Sequence, residues 1–475
     1  MPDRNTYTSP LETRYAGKEM RTLFGDQKKF STWRRLWLEL ARCQKELGLD
    51  ITDEQIAQME ANLDNINFAA ASHHERRLRH DVMAHIHTFG DAAPAARPII
   101  HLGATSQYVN DNTDLIVMRE GMRLLIGQLA NIAATLADFA RKQRDTVCLA
   151  FTHFQPAQLT TVGKRATLWC QDFLMDLREL EHRLETLEFR GVKGTTGTQA
   201  SFLALFDGDH EKVKRLDRTV AQRFGFARVC PVTGQTYSRK IDAAIAAALG
   251  GIGASVHKFC NDIRLLSHCR EIEEPFGSSQ VGSSAMAYKR NPMRCERATG
   301  LARWLIGISA QPLQTAAEQW FERTLDDSAN KRLAIPEAFL TADACLRIVL
   351  NVAQGLVVHP NIIAQNFVAE LPYMATENIL MAAVRAGGDR QKLHERIRVH
   401  SLASAEQVNW GHPNDLLDRL QNDDAFDRVD FNAVLEPRAY IGRSPEQVDE
   451  FLTGEIAPIL EKYAGKLGQQ SELNV

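Results

Sequence analysis

The segment Gly282-Ser283-Ser284-Ala285-Met286-Ala287-Tyr288-Lys289-Arg290-Asn291-Pro292 sets two hydroxyls close to a lysine. From Ser283 to Arg297 the cations Lys289, Arg290, Arg294 and Arg297 face a single carboxylate, Glu296. A turn opened by small residues, with cations converging on it, suits an anionic substrate. A cation beside a hydroxyl can also stabilise an alkoxide, which turns serine into a nucleophile or a base. The plainer reading is a solvated basic turn ahead of a helix.

Three other segments interrupt the apolar pattern with residues of chemical use: HLGATSQYVNDNTD (101–114), FTHFQPAQ (151–158) and KGTTGTQ (193–199). KGTTGTQ resembles a phosphate-gripping loop only loosely. It lacks the G-x-x-x-x-G-K-[ST] order, and a helical run rather than a strand precedes it, so a mobile loop near a site is expected. His80, His85 and His87 fall within eight residues and raise the question of zinc. Spacings of five and two do not put them on one helical face, and no H-E-x-x-H is present, so no metal is expected. No dinucleotide fingerprint occurs either, so no cofactor is expected.

The elements that must position these residues are long helices. Leu115, Met118, Met122, Leu125, Leu129, Ile132, Leu136 and Phe139 step by three and four along one seam, with Asp111, Asn112 and Thr113 as candidate caps. A second seam runs Trp169, Phe173, Leu177, Leu180, Leu184, Leu187. A third runs Ile241, Ile245, Leu249, Ile252, Val256, Phe259, Ile263, Leu266, with Gly250, Gly251 and Gly253 inside its frame, where small residues let backbones approach. Two more helical stretches are expected near 293–320 and 330–357, separated by the polar ERTLDDSAN. His359-Pro360 should stop the last long helix, and GQQSELNV should be a frayed tail. Nowhere do short Val/Ile runs alternate with helices, so a doubly wound sheet is not expected. The expected division is 1–105, a central long-helix bundle over 106–358, and 359–475.

Composition bounds the rest. Of 475 residues, 44% are apolar and 24% charged, which is ordinary for a globular protein with a large core. Lys plus Arg number 56 and Asp plus Glu 59, a net charge of −3 that excludes a globally basic nucleic-acid-binding surface. Eight scattered cysteines without a Cys-x-x-Cys read as cytosolic thiols. The first residues offer no signal-peptide stretch, and no run of 18 apolar residues offers a membrane span, so a cytoplasmic protein without membrane or nucleic-acid partners is expected.

GSSAMAYKRNP resembles the GSSxMPxKxNP motif of the fumarase/aspartase superfamily, whose members eliminate fumarate from a succinyl-bearing substrate. FTHFQPAQ is similar to the second of its conserved regions and HLGATS…DNTD to the first. Within the superfamily the chain resembles the adenylosuccinate lyase family, most strongly its animal-type branch. RLRHDVMAH (77–85), KGTTGTQASF (193–202), TGQTYSRK (233–240), QWFERTLDDSANKR (319–332), LPYMATENI (371–379) and the opening SPLETRY carry that likeness. One departure is Ala287, where the motif has proline.

The resemblance implies a mainly α, three-part fold whose long helices assemble into a multi-subunit helical core. It implies a homotetramer with active sites shared between chains. It implies β-elimination of fumarate from adenylosuccinate, giving AMP, and from the succinyl-carboxamide ribotide of purine synthesis. Ser283 would be the general base, supported by Lys289, and His153 the general acid, a role that suits an imidazole. Thr105 and Ser106 would hold the succinyl carboxylate, helped by Gln235, Lys289 and Asn291; Arg79, His80, Asp81 and Thr152 would also contact substrate, and Arg297 would contact the nucleotide. Arg14, Tyr15, Arg323, Ser328 and Arg332 would hold the nucleotide end, where arginine forks suit phosphate. Two readings compete: another fumarate-releasing lyase, such as argininosuccinate lyase or fumarase, and an inactive helical scaffold.

Overall fold

The computed structural model describes residues 5–277, 280–286, 288–471 and 473. The elements used below are α1 (Asp26–Glu46), α2 (Asp81–Ala92), α3 (Ser106–Lys142), β1 (Val147–Thr152), β2 (Gln155–Thr161), α4 (Val162–Thr186), α5 (Lys240–His268), β3 (Ile272–Glu273), α6 (Met293–Ile308), α7 (Asp326–Gln354), β4 (Val357–Val358) and α8 (Pro360–Arg385). The fold is mainly helical. Among the described residues its only sheets are two antiparallel pairs, β1 with β2 and β3 with β4.

The three seams become the core. Leu115, Met118, Met122, Leu125, Leu129, Ile132 and Leu136 are all fully buried on α3, a helix of 37 residues. At 1.5 Å per residue it spans roughly 55 Å. Trp169, Phe173, Leu177 and Leu180 of α4 are buried in the same way, as are Ile245 to Leu266 of α5. α3 packs on α4 and α7, α5 packs on α4, α6 and α7, and α6 packs on α7. The α5 glycines do allow close approach: a Cβ at Gly250 would lie 2.6 Å from Ser309 Oγ, and one at Gly253 would lie 3.1 Å from Ile306.

Several expectations need correction. Asp111, Asn112 and Thr113 do not cap α3; they lie buried inside it, and Thr105 takes the cap position. The stretch near 293–320 is two helices, α6 and Gln311–Ala317. The break before α7 ends sooner than expected, because Asp326 and Asp327 form its acidic first turn, where they complement the helix dipole. Pro360 starts a helix rather than merely stopping one: α7 already ends at Gln354, and Pro360 occupies the first position of α8, where a missing N–H costs nothing. α5 is long and apolar enough, by length and composition, to cross a membrane, although no such segment was expected. Its apolar residues face α4, α6 and α7, so it serves as a core helix of the bundle.

As far as Ser471 the tail is not frayed either, and Glu472, Asn474 and Val475 lie outside the described residues. Asn131 of α3 donates to the Lys466 carbonyl (2.8 Å) and accepts from Gln469 N (3.0 Å). Asn351 and Gln354 of α7 donate to the carbonyls of Ser471 (2.7 Å) and Gln469 (2.8 Å). These amides strap the chain end across two bundle helices. Upstream of the strap, Ala375, Ile379, Leu393, Ile397, Leu416, Leu420 and Phe426 form a second, smaller core.

Candidate active site

α3 begins where three loops meet. The Thr105 hydroxyl caps nothing on its own helix; it accepts instead from Gln235 Nε2 (3.2 Å). Gln235 Oε1 accepts from Arg323 (2.9 Å), so one amide bridges two of the residues expected to bind substrate. Arg323, Ser328 and Arg332, at the start of α7 and just before it, line a cavity of about 340 Å³ together with Gln107, Asn110 and Lys331. Arg332 also reaches Asp81 (3.0 Å) at the start of α2. The Arg79-His80-Asp81 triplet forms a corner between helices. Arg79 adopts a left-handed conformation (φ 54°) to end one helix, and His80 Nδ1 accepts from Met83 N to cap α2. Ser106 opens α3 next to Thr105. Tyr15 packs on the core from the turn Leu11–Tyr15, and Arg14 beside it is exposed; among the described residues neither joins the cavity by a hydrogen bond or ion pair.

Beneath this cluster lies a buried charge network that the sequence reading missed. Arg239 pairs with Asp111 (3.0 Å) and Asp327 (2.6 Å), and Lys331 with Asp114 (2.9 Å). Lys331 also approaches Asp242 (3.6 Å) and the Tyr237 hydroxyl (3.2 Å). With its amide oxygen turned toward Arg323, Gln107 donates to Asp111 (3.0 Å) and accepts from Arg323 (2.6 Å). Burial alone would raise the Asp111 carboxyl, but Arg239, Lys331 and Arg190 together hold it below the usual carboxylate range. The available signal was Asp111 and Asp114 spaced by three beside the apolar seam of α3, with Asp242, Asp327 and Lys331 likewise set into helical frames.

His153 does not sit in a loop between helices. It occupies the two-residue tip of the β1–β2 hairpin with Phe154, at φ 53° and 57°. Positive φ at both positions is a type I′ signature that normally selects Asn-Gly, and imidazole and phenyl side chains there are strained. The hairpin base packs on α8, and Arg165 ties down the Leu149 carbonyl (2.5 Å). Thr152 and His153 project into solvent, and the His153 ring makes no hydrogen bond among the described residues.

Ser283 lies between β3 and α6. Its Oγ accepts from the backbone N–H groups of Ala285 (3.3 Å) and Met286 (3.2 Å). Asn291 closes the loop neck by donating to the Gly282 carbonyl (2.8 Å). Glu274 anchors the far side, accepting from Arg294 N (3.0 Å) and Cys295 N (2.9 Å) at the start of α6. Lys289 is exposed. Ala287 lies outside the described residues. Arg297 lines a separate cavity of about 530 Å³ with Gln280, Arg294, Asn351, Ser471 and Leu473.

Apart from Arg14, Tyr15 and Arg297, the residues expected to act together therefore form three groups in one chain: the Thr105–Gln235–Arg323–Arg332–Asp81 cluster, the hairpin tip, and the serine loop. Among the described residues no hydrogen bond or ion pair joins the hairpin tip or Ser283 to the cluster. The histidines disperse as well. His85 stacks on Phe30 (3.7 Å) and is pushed down to about 4 by burial, then by Arg34 and Lys29, whereas His87 stacks on His74 (5.3 Å).

Residues 45–307 match a family model described as lyase, and residues 372–451 match one described as adenylosuccinate lyase C-terminus. The sequence is 52% identical over 482 residues to the adenylosuccinate lyase of Saccharomyces cerevisiae, covering 100% of each chain. It is 50% identical over 476 residues to that of Schizosaccharomyces pombe, covering 99% of each. Among solved structures, 3-carboxy-cis,cis-muconate lactonizing enzyme from Pseudomonas putida superposes with a TM-score of 0.81 at 22% identity, covering 94% of this chain and 99% of that one. That likeness concerns the fold alone. The full-length matches do not favour the argininosuccinate lyase, fumarase or inactive-scaffold readings.

Proposed function

The chain belongs to the adenylosuccinate lyase family, and from that premise we propose how its residues divide the work of elimination. The enzyme is a lyase that splits adenylosuccinate into AMP and fumarate, and the succinyl-carboxamide ribotide into fumarate and the free carboxamide. The full-length identity to curated relatives carries the reaction. Support for the roles below is local geometry together with the motif resemblance.

Ser283 removes the proton from the carbon next to a succinyl carboxylate. Two backbone N–H groups already point at its oxygen, which is the arrangement an alkoxide needs. The electron pair left on carbon spreads into the carboxylate, giving a dianion that Lys289, Asn291, Thr105, Ser106, Gln235 and Thr152 stabilise. Expulsion of the C–N electron pair then forms fumarate, and His153 gives the leaving nitrogen its proton. Arg14, Tyr15, Arg323, Ser328 and Arg332 take the nucleotide end, and Arg79, His80, Asp81 and Arg297 complete the substrate contacts.

Separation of the three groups within one chain supports a homotetramer whose sites combine segments of several copies. Leu168 and Met175 of α4 and Trp304 of α6, each about half exposed or more, leave apolar faces on the bundle for a second copy to cover. Eight free cysteines, seven of them buried, support a cytoplasmic enzyme. The test of function is purified protein with adenylosuccinate, followed by ultraviolet absorbance. Turnover with release of fumarate is expected; conversion of argininosuccinate or malate instead would overturn the reading.

A further inference from the structure

KGTTGTQ has no part in the chemistry described above, yet it is packed backbone to backbone against the loop that carries Gln235. A Cβ on Gly197 would collide with the Thr233 carbonyl, and one on Gly234 would collide with the Glu322 carbonyl. Gln235 N donates to that same Glu322 carbonyl (3.0 Å). Three loops, 193–199, 233–235 and 322–323, are thus stacked with no side chain between them.

Arg190 lies under the stack and is fully buried. Its guanidinium donates four hydrogen bonds, all to backbone carbonyls. Two go to Gln235 (3.0 and 2.7 Å), one to Gly191 (3.1 Å) and one to Gly194 (3.1 Å). The nearest carboxylate, Asp111, is 4.0 Å away. A planar fork with fixed donor directions can hold three carbonyls of two loops at once, which an ammonium cannot. Burial of this cation depresses its pKa despite Asp111 and Asp217 nearby, so the site retains it at an energetic cost.

We propose that Arg190 is a positioning residue for the elimination: by gathering the carbonyls of Gln235, Gly191 and Gly194, it fixes the Gln235 amide between Thr105 and Arg323. The inference rests on the reading that Gln235 meets the substrate. It gives KGTTGTQ a role as the outer wall that keeps the Gln235 loop from retreating, without any contact to substrate.

The test is a double-mutant cycle on full-length enzyme with adenylosuccinate, using Arg190→Lys, Gln235→Ala and the pair. Arg190→Lys is expected to raise KM about tenfold with kcat within about threefold, and the pair to be no worse than Gln235→Ala alone. A merely structural arginine would give additive losses, and additivity overturns the inference while leaving the role of Gln235 intact. An unchanged KM in Gln235→Ala overturns the reading of Gln235 itself, and the inference with it. If Arg190→Lys does not fold, Gly234→Ala takes its place, since it pushes the Gln235 backbone off Glu322 and leaves Arg190 untouched. A KM rise that is absorbed by Gln235→Ala supports the inference; no rise, or an additive one, overturns it.

Discussion

The two halves of the candidate site are built on opposite principles. Thr105, Gln235 and Arg323 are hydrogen-bonded to one another within the same chain, above the buried Asp111–Arg239–Asp327 ion pairs. Of the groups proposed to move protons, His153 is exposed at the tip of a strained hairpin, and Ser283 is half-buried in a loop held at its neck and its base. The inner half can be preorganised because one chain supplies all of it. Among the described residues the outer half has no hydrogen bond or ion pair to that cluster, as the proposed assembly of each site from several copies requires.

Mutation can break that contrast, and the largest effect is expected on the outer half. Ser283→Ala should lower kcat by about a thousandfold with KM little changed, the signature of a lost base. Steady-state absorbance kinetics check this, and near-normal kcat would place the base elsewhere. The same variant should unfold at an unchanged urea midpoint. Arg239→Met should do the reverse and destabilise the fold by about 3 kcal/mol in urea unfolding, because it removes the closest cation from the buried Asp111 and Asp327.

Acid should also act on the fold, through the packing around α1. Burial pushes both His85 and His101 down to about 4, and His101 Nδ1 accepts from Trp37 Nε1 (2.8 Å) only while it carries no proton. As pH falls below about 6.5 the unfolded chain takes up these protons first. Their stabilisation is therefore complete above that pH and lost as pH drops toward about 4. Each should contribute about 2–3 kcal/mol to the difference between pH 7 and pH 4.5. Urea midpoints at the two values measure it, and equal midpoints would exclude it.

The smallest signal concerns sharing. His153→Ala and Ser283→Ala, each inactive alone, should regain on the order of a tenth of wild-type activity when mixed and allowed to exchange subunits. No recovery in mixed tetramers shown to form would mean that both groups serve the same site from one chain.

The bundle was legible because its signal is periodic: Leu115 to Leu136 repeat by three and four, and all are buried. The chemical segments were legible as motifs. The charge network was not, because Asp111, Arg239 and Asp327 are brought together only by tertiary packing, and DNTD in isolation reads as a cap. The hairpin escaped for local reasons. His-Phe is not a turn dipeptide, and Pro156 sits in a strand that tolerates it only because β2 is an edge. The tail escaped because its polar residues look solvated until Asn131, Asn351 and Gln354 are seen to clasp them.

That clasp has a consequence at the bench. Lys466, Gln469 and Ser471 bridge side chains more than 200 positions apart, and Ser471 and Leu473 line the cavity shared with Arg294 and Arg297, beside the serine loop. An expression variant truncated ahead of Lys466 would leave the Asn131, Asn351 and Gln354 amides without these partners and would remove Ser471 and Leu473 from the wall of that cavity.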